Sequence, residues 1–154
     1  AGGTGNFGGE PSADTVLFFM SGTAATMNVP AGFTTGFSFF YSSVNSVGSV
    51  VVYDGLNATG NILATLPLPV TPINGAPDPT GAFSPLLPLG VTFSGTALSV
   101  DFAGTENQIV FDNITIGSAT PGDGAVPEPI SFVVWSGIAC LGAAVAYWRR
   151  LAGA

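Results

Sequence analysis

The sequence contains no lysine and no histidine, and its two arginines, Arg149 and Arg150, stand near the end of the chain. Charged residues make up 7% of the 154 residues, where about a quarter is usual for a soluble domain. Each shortage excludes a class of chemistry. Without cations over the first 148 residues there is nothing to neutralise phosphate, so nucleic-acid binding is excluded. Without histidine there is no imidazole for a catalytic triad or a metal site. The single cysteine, Cys140, excludes an intrachain disulfide and a thiolate zinc cluster. What remains is apolar and acidic: 47% hydrophobic residues, 12 phenylalanines, nine carboxylates and a net charge of −7. Aromatic and β-branched residues in this number can fill a core, so the chain is not read as disordered.

Charge and apolarity are unevenly distributed. Every carboxylate lies at or before Glu128, and both arginines lie beyond Trp148. Between them, Ile130 to Trp148 reads ISFVVWSGIACLGAAVAYW, 19 residues without a charge or a proline. At about 1.5 Å per residue such a helix spans the roughly 30 Å hydrocarbon core of a bilayer. The pattern predicts one transmembrane helix over 130–148. Tyr147 and Trp148 suit the interfacial aromatic belt, and Arg149 and Arg150 mark the cytoplasmic side. The expected topology is a domain outside the membrane, one span, and a basic tail over 149–154 inside. Export of the domain further predicts that a signal peptide preceded Ala1. Ser136, Ala139, Gly142, Ala143 and Ala146 bring small residues to one helix face, where another membrane helix can approach closely.

Residues 118–129, SATPGDGAVPEP, are rich in glycine and proline and are read as an extended linker. Their end, Val126-Pro127-Glu128-Pro129, sits directly before the apolar stretch. Pro-Glu-Pro, then an apolar helix, then an arginine pair resembles the PEP-CTERM sorting signal of exported bacterial proteins. The resemblance implies an envelope or surface protein recognised by an exosortase. It makes Val126, Pro127, Glu128, Pro129, Arg149 and Arg150 recognition residues rather than catalytic ones. Residues 91–122 also look like the last strands of a common ectodomain type in that family.

Residues 14–117 are expected to form an all-β, antiparallel β-sandwich, jelly-roll-like in the first instance and immunoglobulin-like in the second. Strands are predicted at 15–20, 33–42, 47–53, 61–66, 89–93, 96–102 and 108–116, from runs of apolar and β-branched residues between turn residues. Phe37, Phe39 and Tyr41 alternate with Ser38 and Phe40, and Val50 and Val52 with Ser49 and Val51. Leu98, Val100 and Phe102 are expected to face inward, with Ser99 and Asp101 outward. The strands at 89–93 and 96–102 are expected to pair as a hairpin about Ser94-Gly95. In the last strand the apolar phase moves from Ile109 and Phe111 to Ile114 and Ile116, which predicts either a bulge at Asp112-Asn113 or a strand buried on both faces. Residues 66–88 hold most of the prolines and are read as an excursion or edge strand. The glycine-rich residues 1–13 are read as an N-terminal arm.

Candidate chemistry is sparse. A structural calcium ion needs six to eight oxygens, for which Glu10, Asp14, Asp112 and Asn113 are the best candidates. The favoured alternative is that Asp112 and Asn113 fill a bulge and bind nothing, so no cofactor is expected. Asp101 with Glu106 or Asp112 offers the two carboxylates of a glycosidase, but the domain has no cation to tune them, and no catalytic role is expected. Tyr41 and Tyr53 are the residues available to stack on a polysaccharide. Two classes of function follow. The first is a structural or adhesive surface module of the bacterial envelope. The second is an accessory single-span subunit of a large membrane complex, such as a photosynthetic or respiratory assembly. In that reading the sandwich covers the periplasmic face.

Overall fold

The computed structural model describes residues 7–12, 15–71 and 84–122. The transmembrane stretch at 130–148, the basic tail and most of the proline-rich excursion lie outside the described residues. Among those described, no helix is long and apolar enough to cross a membrane. The elements are strands: β1 (Phe7–Gly8), β2 (Ala24–Phe33), β3 (Gly36–Ser43), β4 (Gly48–Tyr53), β5 (Ile62–Leu68), β6 (Ser84–Pro85), β7 (Leu87–Thr92), β8 (Ala97–Ala103) and β9 (Ile109–Ile116). They form a four-stranded sheet in the order β2-β8-β4-β5 and a three-stranded sheet in the order β7-β3-β9. All pairings within these sheets are antiparallel, and β1 and β6 make a separate, two-residue parallel pair.

Period-two alternation sends one set of side chains from each sheet into a shared interior. Phe37, Phe39 and Tyr41 of β3 and Ile109 and Phe111 of β9 meet Val50, Val52, Leu66, Leu68, Val100 and Phe102 of the other sheet. The ring centroids of Phe102 and Phe111 lie 4.9 Å apart at 69°, and those of Phe39 and Phe102 lie 6.3 Å apart at 63°. These edge-to-face contacts bridge the two sheets, so the fold is all-β and sandwich-like. Only the step from β4 to β5 stays within one sheet, and every other step between strands of the two sheets crosses the core.

That crossing corrects the hairpin expected about Ser94-Gly95. β7 pairs with β3 and β8 pairs with β2 and β4, so the two segments belong to opposite sheets. The strand expected at 15–20 reduces to one bridge, in which Leu17 and Phe111 exchange backbone hydrogen bonds of 2.8 Å along the free edge of β9. β2 was not among the predicted strands, and the predicted 33–42 segment begins instead at Gly36. Between β2 and β3 the chain turns on Thr35, at φ 80°, with Gly36 N–H donating to Thr34 O. A β-branched residue at positive φ is strained.

β3 is covered on both faces. Its outer side carries Ser38 and Ser42, both fully buried, because small side chains let further chain lie directly over the strand. Thr71 packs there, sharing a 3.2 Å contact between its Oγ1 and Ser42 Oγ, and its N–H donates to Ser43 O at 2.8 Å. This fixes the exit of β5 against β3.

Truncating a bridging ring removes its contacts to both sheets. Phe102→Ala is expected to cost about 3–5 kcal/mol, which denaturant unfolding followed by circular dichroism will read.

Candidate functional site

The bulge predicted in β9 is present. Ser38 opposes Thr115 and Phe40 opposes Asp112, so two residues of β9, Asn113 and Ile114, face the single Phe39. Asn113 takes φ 46°, a conformation asparagine tolerates better than most residues. The extra residue turns the strand over: Ile109 and Phe111 face the core before it, and Ile114 packs against the core after it.

The bulge also aims Asp112 outward under the N-terminal segment, where only 5% of it is exposed. Ser12 N–H donates to Asp112 Oδ2 at 2.9 Å, and Ser12 Oγ–H donates to Oδ1. Asn113 N–H donates to Oδ1 at 2.6 Å. Three donors therefore converge on one carboxylate and tie a segment a hundred residues upstream to the sheet. Of the calcium candidates, Asp112 and Asn113 are brought together, but Asn113 takes part through its backbone. Glu10 lies half-buried two residues before Ser12. Asp14 lies outside the described residues. Among the described residues no three acidic, histidine or cysteine side chains gather as a metal cluster. The arrangement is a hydrogen-bonded clasp, in which three donors already engage the Asp112 carboxylate.

A second polar network covers the outer face of the four-stranded sheet, in the β4–β5 connection. Asn61 donates to Asp54 twice, from its backbone N–H to Oδ1 at 2.6 Å and from Nδ2 to Oδ2 at 2.8 Å. These bonds, the side-chain one first, hold the Asp54 carboxyl below its ordinary value. Asn57 and Ala58 both take positive φ. Asn28 and Asn57 pair reciprocally, at 2.8 and 2.7 Å. Ser99 Oγ donates to Gly55 O at 2.6 Å and accepts from Ala58 N–H at 3.0 Å. Ser99 is thus on the outward side of β8 as expected, yet fully buried beneath the loop. Asp101, the glycosidase candidate, accepts from Thr26 Oγ1–H at 2.7 Å on the same face. Asn28 is not legible in the sequence, and Ser99 is legible only as an outward-facing strand residue, because neither is marked by charge or by a turn motif. The sorting-signal residues Val126, Pro127, Glu128, Pro129, Arg149 and Arg150, and the helix face of Ser136, Ala139, Gly142, Ala143 and Ala146, lie outside the described residues.

No protein-family model matches the chain, and no curated protein matches it.

Removing the acceptor of the clasp strands three partly buried donors. Asp112→Ala is expected to destabilise the domain by about 1–3 kcal/mol, with faster amide exchange at Ser12. Millimolar calcium is expected to leave the melting temperature unchanged, and a rise would identify a bound ion. For Asp54 the sign follows from a folded-state value below the unfolded one. Its contribution is complete above the ordinary carboxyl value of 3.8 and is lost as pH falls through the folded value. Protection of the Asn61 amide, its exchange rate relative to an unstructured peptide at the same pH, is therefore expected to fall only below pH 3.8, and Asp54→Ala to remove that fall.

Proposed function

We propose that this chain is a non-catalytic, membrane-anchored extracytoplasmic domain of the bacterial envelope, a structural or adhesive surface module carrying a PEP-CTERM-type sorting signal. The observation that carries the reading is the order of features over 126–150: Val126-Pro127-Glu128-Pro129, 19 uncharged residues, then Arg149 and Arg150. Its partners are the lipid bilayer, through 130–148, and exosortase-type sorting machinery. The domain lies outside the membrane and the C-terminus in the cytoplasm.

The domain itself is a jelly roll in this proposal. The orders β2-β8-β4-β5 and β7-β3-β9, with Leu17 bridged to the free edge of β9, support it. They match two interlocked four-strand sets in which the Leu17 segment supplies the eighth, rudimentary strand. A passive role is favoured by the use made of its polar groups. Asp54, Asp101 and Asp112 each accept hydrogen bonds from neighbouring side chains or backbone, and the sequence offers them no imidazole or ammonium partner. The stripe Ser136, Ala139, Gly142, Ala143 and Ala146 supports a second reading, an accessory single-span subunit docked on an integral-membrane complex.

Fractionation of native membranes tests the anchor. The unprocessed chain is expected to stay with the bilayer through an alkaline wash and to leave with detergent. Its recovery in the aqueous wash contradicts the proposal. Mass spectrometry of the mature C-terminus separates the two readings. A terminus near Glu128, lost when Pro127, Glu128 and Pro129 are replaced by alanine, marks the sorted module. An intact chain co-migrating with a membrane complex marks the subunit.

A further inference from the structure

Composition places residues 118–129 in one linker, but its first five residues are packed on the domain. After β9 the chain doubles back over the outer face of β3 and β7. Gly117 N–H donates to Gly36 O at 2.9 Å, and Ser38 Oγ–H donates to Ser118 O at 2.9 Å. Thr120 N–H donates to Ser118 Oγ at 3.1 Å, and Gly122 N–H donates to Thr115 Oγ1 at 3.0 Å. Beneath this turn the paired residues Ser38 and Gly90, with Gly36 two residues along, present almost no side chain. A Cβ on Gly36 would stand 2.7 Å from Ala119 N and 2.8 Å from Ser118 C, and one on Gly90 would overlap Ala119 O. Neither glycine has positive φ, so both positions are small to leave room for chain and not to permit a turn. The strained Thr35 lies immediately before Gly36, at the rim of the same notch.

We propose that Ser118–Gly122 is a latch: a folded-back turn whose first residues, Ser118 and Ala119, sit in a notch built from Gly36, Ser38 and Gly90, and whose release lengthens the tether beyond the domain. The notch recognises backbone. Apart from the Ser118 and Thr115 hydroxyls, the seated segment is held by its own N–H and C=O groups and by close fit. Release adds about five residues, or roughly 17 Å of extended chain, to whatever follows. For processing near Glu128, the latch sets how much free chain precedes the recognised segment. That consequence rests on the sorting proposal, whereas the latch itself does not.

Limited proteolysis of the full-length chain in detergent micelles, with cleavage sites mapped by mass spectrometry, tests the latch alone. Cleavage within 118–122 is expected to be at least about ten-fold slower than in a free peptide of the same sequence, because it must await opening. Gly90→Ala is expected to restore most of the peptide's rate while the β-sheet circular dichroism is retained. Ser38→Ala, which removes one hydrogen bond and adds no bulk, is expected to raise the rate a few-fold by the same opening argument. Wild-type cleavage as fast as the peptide's overturns the proposal, as does a folded Gly90→Ala with the wild-type rate. Should Gly90→Ala not fold, an unchanged rate in Ser38→Ala overturns it.

Discussion

The two sheets are joined by side chains, and the seam of rings from Phe39 through Phe102 to Phe111 is what holds them face to face. Nothing electrostatic can take its place, since no lysine or arginine occurs before Arg149. The connectivity raises the demand on that seam. With nearly every step between strands crossing the interior, neighbouring strands in a sheet are remote in sequence, and β2 and β8 cannot find each other through a local turn. Aromatic rings suit this task, because each buries a large area and prefers the tilted geometries seen here.

Polar chemistry is given over to the same end. In place of ion pairs, the domain spends serine, threonine, asparagine and aspartate on fastening loops. Asp112 ties down the N-terminal segment, Thr71 ties the end of β5 to β3, and Ser99 anchors the loop that Asp54 and Asn61 close. Buried groups of this kind are costly unless satisfied. Ser84 Oγ is the buried side-chain polar atom without a partner among the described residues. The Asp112 carboxylate, with three donors upon it, has little acceptor capacity left for a base or a cation ligand, which supports the passive role proposed.

Strands with clean alternation were legible in the sequence: β3, β4 and β9 sit within a few residues of their expected bounds, and the break in phase at Asp112-Asn113 revealed the bulge. β2 was not, because AATMNVPAGF carries Pro30 and Gly32 and buries only Phe33 fully. It is an edge strand, so its pattern is set by one neighbour and by solvent. The false hairpin has a different cause. Periodicity says that Leu89–Thr92 and Ala97–Phe102 are extended but not which sheet each joins, and Ser94-Gly95 serves a crossing as well as a hairpin. The clasp was half visible: Asp112 stood out as a carboxylate in an apolar strand, whereas Ser12, its partner, has nothing local to distinguish it. The hydrogen bonds that hold Ser118 and Gly122 to Ser38 and Thr115 were not legible, since glycine and proline content says nothing of the small residues on a distant strand that receive the chain.

The rings of opposite sheets interact specifically, beyond the area each buries. A double-mutant cycle on Phe102→Leu and Phe111→Leu measures this most directly. A coupling of about 0.5–1.5 kcal/mol between the two substitutions is expected. Strict additivity of the two losses would contradict it.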